Sequence, residues 1–158
     1  MIDAHNSLLV VHVAAGSIGL VLGLLALLTE GPPDYRSRAG AGYLWAVLVI
    51  ASTALGLVAF DASPLWWLVP LAVLTSALAL AGYRAPRRRG RGWVRIYAHG
   101  QGGAYIALAT ALLVVSLEGP AATAAWVAPL LVGLPLIERR VATIAHREAS
   151  TAVSETFR

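Results

Sequence analysis

Cysteine and lysine are both absent from the 158 residues. Without cysteine there is no disulfide, thiolate nucleophile, iron–sulfur cluster or cysteine-ligated zinc, so any metal or haem would have to hang on one of four histidines. Charge is scarce too: 13% of residues are charged, against roughly 25% in an ordinary soluble domain. With 58% hydrophobic residues and a mean hydropathy of +0.73, the composition excludes a soluble globular domain. At about 20 apolar residues per spanning helix, the length allows four to six spans with short loops and leaves no room for a catalytic domain outside the membrane.

What is present is long apolar runs. Five stand out, Ser7–Leu28, Tyr43–Phe60, Leu65–Tyr83, Val94–Leu117 and Ala121–Ile137, and none contains Asp, Glu or Lys. They are continuously apolar rather than alternating, which favours helices that satisfy their own backbone in lipid over a spanning barrel. The predicted fold is all-α, an integral membrane helical bundle with five transmembrane helices. The fifth run is the shortest: 17 residues reach only ~25 Å at 1.5 Å each, and Pro129 and Pro135 interrupt it. Four spans plus a re-entrant segment is the fallback.

The net charge of +4 and a pI near 10.1 raise the question of nucleic acid, and the positions of the charges answer it. The first connection carries Arg36 and Arg38, the third Arg84, Arg87, Arg88, Arg89, Arg91 and Arg95, and the tail Arg139, Arg140, Arg147 and Arg158. The start of the chain and the other two connections carry only Asp3, Asp61 and Glu118. That alternation follows the positive-inside rule and predicts an N-terminus outside and a C-terminus in the cytoplasm, across the inner (plasma) membrane. The partner it implies is the lipid bilayer and not nucleic acid, with the run from Arg84 to Arg95 able to meet anionic headgroups at about 1 kcal/mol per arginine. The first run lacks a basic leader and is longer than a signal peptide's apolar stretch, so it reads as a retained span. The connections 61–64 and 118–120 are short enough to make their helices antiparallel neighbours. Residues 1–137 read as the transmembrane bundle and 138–158 as a cytoplasmic tail. In that tail Val141, Ile144, Ala145 and Glu148 keep helical spacing, as a short frayed extension of the last helix would.

Trp and Tyr favour membrane interfaces. Tyr43, Trp45, Tyr83, Trp93 and Tyr97 fall at the predicted inner side, and Trp66, Trp67 and Trp126 toward the outer. Tyr105 is mid-span, where its hydroxyl needs a partner, either a backbone carbonyl or a ligand.

Two histidine constellations remain. In the first run His12, Gly16, Gly19 and Gly23 lie within a ~60° stripe, with His5 projecting onto the same stripe. Ala15, Gly19 and Gly23 form a small-xxx-small ladder for close helix contact, which turns His12 into the bundle interior. An ionisable side chain within a span is a functional-site candidate, although a hydrogen bond to a neighbour would also account for it. In the fourth run, His99-Gly100-Gln101-Gly102-Gly103 places His99, Gly103, Ile106 and Thr110 on one face. Glycines beside a histidine can leave room for a flat macrocycle on the imidazole, as haem b is held between helices, or can simply serve helix packing. Gln101 adds a polar group, consistent with a polar pocket at the inner end. On the predicted topology His12 and His99 are ~15 Å apart in depth, whereas two nitrogens on one iron are about 4 Å apart. Any metal or cofactor would therefore sit on them as separate sites.

No spanning carboxylate serves a proton relay, and there is no phosphate loop, HExxH pair or nucleophile elbow, so no catalytic residues emerge. Ser52, Thr53, Thr75 and Ser76 read as helix-to-helix hydrogen-bond donors.

The block His99-Gly-Gln-Gly-Gly-Ala-Tyr105-Ile106-Ala107 with Thr110-Ala111, followed by Gly133-Leu-Pro135-Leu-Ile137, resembles a large bacterial and archaeal family of multispanning membrane proteins of unknown function. The segment from His12 through Gly16 and Gly23, then Arg38-Ala-Gly40 and Tyr43-Leu-Trp45, is similar to the same family. Arg36 stands where that family has a histidine. The resemblance implies a small multispanning bundle and points to His12, His99 and Tyr105, without an activity.

The first expectation is thus a binding or accessory subunit, alone, as a homo-oligomer, or beside other subunits of a membrane complex. The alternative is a membrane redox protein with haem b or a quinone at His12 or His99, lined by Gln101, Gly103 and Tyr105. A third is a small transporter or proton channel, disfavoured by the missing spanning carboxylates and inverted repeat.

Overall fold

The computed structural model describes residues 3–28, 38–60, 66, 68–88 and 90–156. Arg36, Trp67, Arg89, Arg158 and the connection 61–64 lie outside the described residues. Among the described residues six helices follow in chain order: α1 Ala4–Leu28, α2 Arg38–Phe60, α3 Leu68–Arg88, α4 Trp93–Ser116, α5 Gly119–Ala125 and α6 Ala128–Thr156. No strand occurs among the described residues. The first four apolar runs each became one helix, and α5 with the first part of α6 takes up the fifth, giving five stretches among the described residues long and apolar enough to cross a membrane.

Glycine and proline set the helix boundaries at the second half of the chain. Gly92, at φ 74°, turns the chain into α4, and its carbonyl accepts the backbone N–H groups of Arg95 and Ile96 at 3.0 and 3.2 Å. Gly119, at φ 59°, and Pro120 open α5, a position where the missing proline N–H costs nothing. Pro129 has no N–H to give the carbonyl of Ala125, four residues back, and the helix breaks there. Trp126 and Val127 instead bond back three residues, to Thr123 at 3.3 Å and Ala124 at 3.1 Å.

The fifth element differs from expectation at both proline and tail. Only Pro129 coincides with a break, and Pro135 lies within α6. The tail is no short frayed extension: α6 runs on to Thr156, with Ile144 only 4% exposed and Val141 packed against Ala98, Ile106 and Ile137. Those two apolar positions, spaced by three, keep the tail helix on α4.

Helices α1, α2, α3 and α4 form a closed ring in which each touches the next and α4 returns to α1; α6 packs on α4 and α5 alone. Glycines decide how closely they approach. A Cβ on Gly100 would stand 2.6 Å from the Gly82 Cα, so α3 and α4 meet backbone to backbone. Between α4 and α6 the fit is reciprocal: Ile137 fills the space a Cβ on Gly102 would take, at 2.5 Å, and Ile106 does the same at Gly133. On α1, Gly23 is covered by the rings of Tyr43 and Tyr105, which a Cβ would meet at 2.8 and 2.6 Å. Tyr43 is accordingly a core residue, 1% exposed, and not an interfacial aromatic, whereas Trp45 and Trp66 stay on the surface at 68% and 66%. The interior is small: among the described residues only Tyr43 and Val47 are large side chains that are fully buried. Leu, Val and Ile instead cover the outside of all the long helices.

Candidate functional site

The glycine face of α1 opens progressively toward the start of the helix. Gly23 is tightly covered, Gly19 has neighbours at 3.3 to 3.4 Å from a would-be Cβ (Ile50, Ala46 and Leu108), and Gly16 has nothing within 4 Å. The gap that Gly16 leaves is a cavity of about 480 Å³ among α1, α2, α3 and α4. It occupies the end of the ring where α1 and α3 begin and α2 and α4 finish. Aliphatic side chains such as Leu20, Val47, Ile50, Leu108 and Leu112 make up most of its wall. Its polar side chains are those of His5, His12, Ser17 and Thr75, and the described lining includes neither an aromatic carbocycle nor an Asp, Glu, Lys or Arg.

His12 is tied to α2 by its Nδ1, 2.9 Å from the Thr53 Oγ1. The Thr53 hydroxyl proton is directed at the carbonyls of its own helix, Val49 at 2.8 Å and Ile50 at 3.0 Å. Its oxygen is then placed to accept a proton carried on the His12 Nδ1, and the neutral tautomer that supplies it keeps its lone pair on Nε2. Thr53 itself is 7% exposed. Thr75 and Ser76 likewise donate to carbonyls four residues back, Leu71 at 2.7 Å and Ala72 at 2.8 Å. For Thr53, Thr75 and Ser76 the expectation of donation between helices is corrected: these three satisfy their protons locally, as helical Ser and Thr do, and the Thr53 oxygen is the interhelical partner of His12.

His99 has a different environment. Its Nδ1 lies 3.0 Å from the Arg95 carbonyl and its Nε2 3.0 Å from the Glu138 Oε1 on α6, with Arg95 also 3.5 Å from that oxygen. Both partners of the ring are acceptors, a backbone carbonyl and a carboxylate. Of the two readings of its glycines, close packing is the one seen: Gly100 is filled by α3, Gly102 by Ile137 of α6, and Gly103 by Leu78, 3.3 Å from a would-be Cβ. The His99 group clasps α6 to α4, and both of its nitrogens are engaged. His12 lines the cavity and His99 does not, so the two histidines occupy separate places in the fold.

The remaining expected site residues divide. Gln101 is 6% exposed, packed with its Cγ against Gly82, and its Oε1 has no hydrogen-bond partner. Instead of lining an inner polar pocket it sits at the α3–α4 crossing, and the cavity lies at the other end of the ring. Tyr105 packs beside Tyr43 over Gly23, and the Tyr43 hydroxyl is the second buried polar atom without a partner. Among the described residues no group of three or more His, Asp or Glu side chains could hold a metal ion. Sequence reasoning found His12 but missed Thr53 as its partner and Gly16 as the opening. The signal for the opening was there, because Gly16 lies outside the Ala15–Gly19–Gly23 ladder that does the packing.

No family model, no curated protein and no solved structure matches the chain. The likeness of its two histidine blocks to a family of multispanning proteins rests on those residues alone.

Proposed function

We propose that this chain is a multi-pass protein of the plasma membrane that binds an uncharged lipophilic molecule in the His12 cavity. The carrying observation is the cavity itself: about 480 Å³ is within the range of small-molecule sites, its wall is aliphatic, and one ionisable side chain in it, His12, is tied to α2 through Thr53. A charged ligand would find no counter-charge in the described lining. The membrane setting follows from five long apolar helices whose outward faces carry Leu131 at 69%, Val10 at 68% and Val132 at 64% exposure, an apolar surface far beyond what a water-soluble monomer tolerates. Arginine placement orients the bundle with the cavity toward the outer leaflet and α6 reaching into the cytoplasm. A reporter fused after Arg158 is expected to read cytoplasmic.

The binding test is an organic extract of the protein purified from its native membrane, analysed by mass spectrometry beside a Gly16→Leu variant. A leucine side chain at the open position fills the cavity without meeting a neighbour at its Cβ. One apolar compound enriched in the wild type and lost in the variant supports the reading, and identical extracts refute it.

A second reading is a redox subunit with haem b on His12. It is favoured by the Nδ1–H held by Thr53, the orientation that outer-shell partners give to a ligating imidazole. The absence of a cationic side chain for haem propionates in the described lining places it behind the first. A Soret band that shifts on dithionite reduction and disappears with His12→Gln would reverse that order.

A further inference from the structure

The cavity wall supplies lone pairs and few polar hydrogens. Ser17 donates its hydroxyl proton to the Val13 carbonyl at 3.0 Å, and Thr75 donates to Leu71 at 2.7 Å. His12 spends its proton on Thr53. Each of these three side chains is left with an acceptor: two hydroxyl oxygens and the His12 Nε2. The backbone N–H groups around them are committed within the helices. His5, two helical turns from His12 toward the start of α1, is half-buried in the lining, and among the described residues its ring proton has no acceptor.

A ligand carbonyl reaching His12 would therefore meet a lone pair with a lone pair, in surroundings where a desolvated, unpaired polar group costs about 1–3 kcal/mol. A ligand hydroxyl would meet an acceptor. From this complementarity, and resting on the cavity reading above, we infer that the ligand is a hydroxyl-bearing lipophile, an apolar chain ending in an alcohol, whose O–H donates to the His12 Nε2. The same logic makes the site a discriminator: an alcohol is held, while its ether or aldehyde counterpart, equally apolar and able only to accept, is not. The lack of aromatic carbocycles in the described lining removes the stacking surface a flat ring would use, and the branched aliphatic wall suits an isoprenoid or alkyl body.

The test uses the full chain in nanodiscs, with farnesol, farnesyl methyl ether and farnesal as probes, each corrected for partition into empty nanodiscs. Farnesol is expected to bind at least about tenfold more tightly than the other two, the size of one well-placed hydrogen bond. In Gly16→Leu all three lose binding. In His12→Leu the farnesol preference falls to within about twofold, the scale of a lost hydrogen bond. Thr53→Val gives an independent handle should His12→Leu fail to fold: with the acceptor removed, the ring proton is free to move to Nε2, and the ether and aldehyde gain on farnesol. Equal affinity for all three probes, abolished by Gly16→Leu, would overturn the hydroxyl inference and leave the cavity reading intact. Binding that Gly16→Leu does not reduce, or no binding of any probe, would overturn the cavity reading and the inference with it.

Discussion

The Nδ1 of His12 lies 2.9 Å from the Oγ1 of Thr53, joining α1 to α2 at the wall of the cavity. With the Thr53 proton directed at the Val49 and Ile50 carbonyls, the contact favours the ring tautomer that carries its hydrogen on Nδ1. Thr53→Val removes the acceptor with little change of shape. It is expected to cost about 1–2 kcal/mol, the penalty of an unpaired buried N–H, read as a lower melting temperature in detergent. Thr53→Ser keeps the oxygen and should stay close to wild type.

The glycines should separate by how much room each has. Gly100→Ala drives a Cβ to 2.6 Å from the Gly82 backbone, which cannot swing aside, so α3 and α4 must part. The expected cost is about 3 kcal/mol, at the upper end of overpacking effects. Gly23→Ala meets tyrosine rings that can shift, and about 1–2 kcal/mol is expected. Gly16→Ala touches nothing and should be neutral or slightly stabilising through its gain in helix propensity. Thermal melts of the three variants check the order, and a destabilised Gly16→Ala would contradict the open wall.

Tyr43→Phe is a case where deleting a polar group should help. The ring is needed in the core at 1% exposure, but its hydroxyl is buried without a partner. The phenylalanine variant is expected to be as stable as the wild type or more so by about 1 kcal/mol, and a loss of stability would mean that the hydroxyl is bonded after all.

The His99–Glu138 pair joins α4 to α6, with the Glu138 side chain 52% exposed. A double-mutant cycle with His99→Gln and Glu138→Gln should give a coupling below about 1 kcal/mol, since half-exposed ion pairs contribute little. Neither single variant is expected to change binding in the His12 cavity, because the clasp does not line it.

Hydropathy located α1 to α4 to within five residues at each end, since lipid sets most of their length, while α2 begins before its apolar run and α3 continues past its own to Arg88. It stopped at Ile137 in the last element because Glu138, Arg139 and Arg140 end the apolar run without ending the helix; Ala, Arg and Glu are strong helix formers. The break at Trp126 and Val127 was half legible in Pro129, whose missing N–H releases the Ala125 carbonyl. Helical projection placed His12 in the interior, but a one-dimensional pattern says nothing of which residue on another helix stands opposite. Thr53 was thus invisible as its partner, and the glycines around His99 could be read as open space when Ile137, Leu78 and Gly82 fill it.

The most direct test of the account is nitrogen NMR of the protein with isotope-labelled histidine, the His12 signals being assigned by their loss in His12→Gln. The account predicts a neutral His12 ring with its proton on Nδ1, and an Nε2 signal that moves when farnesol is added while the His99 signals stay in place. A His12 proton on Nε2, or an Nε2 signal indifferent to farnesol, would contradict it.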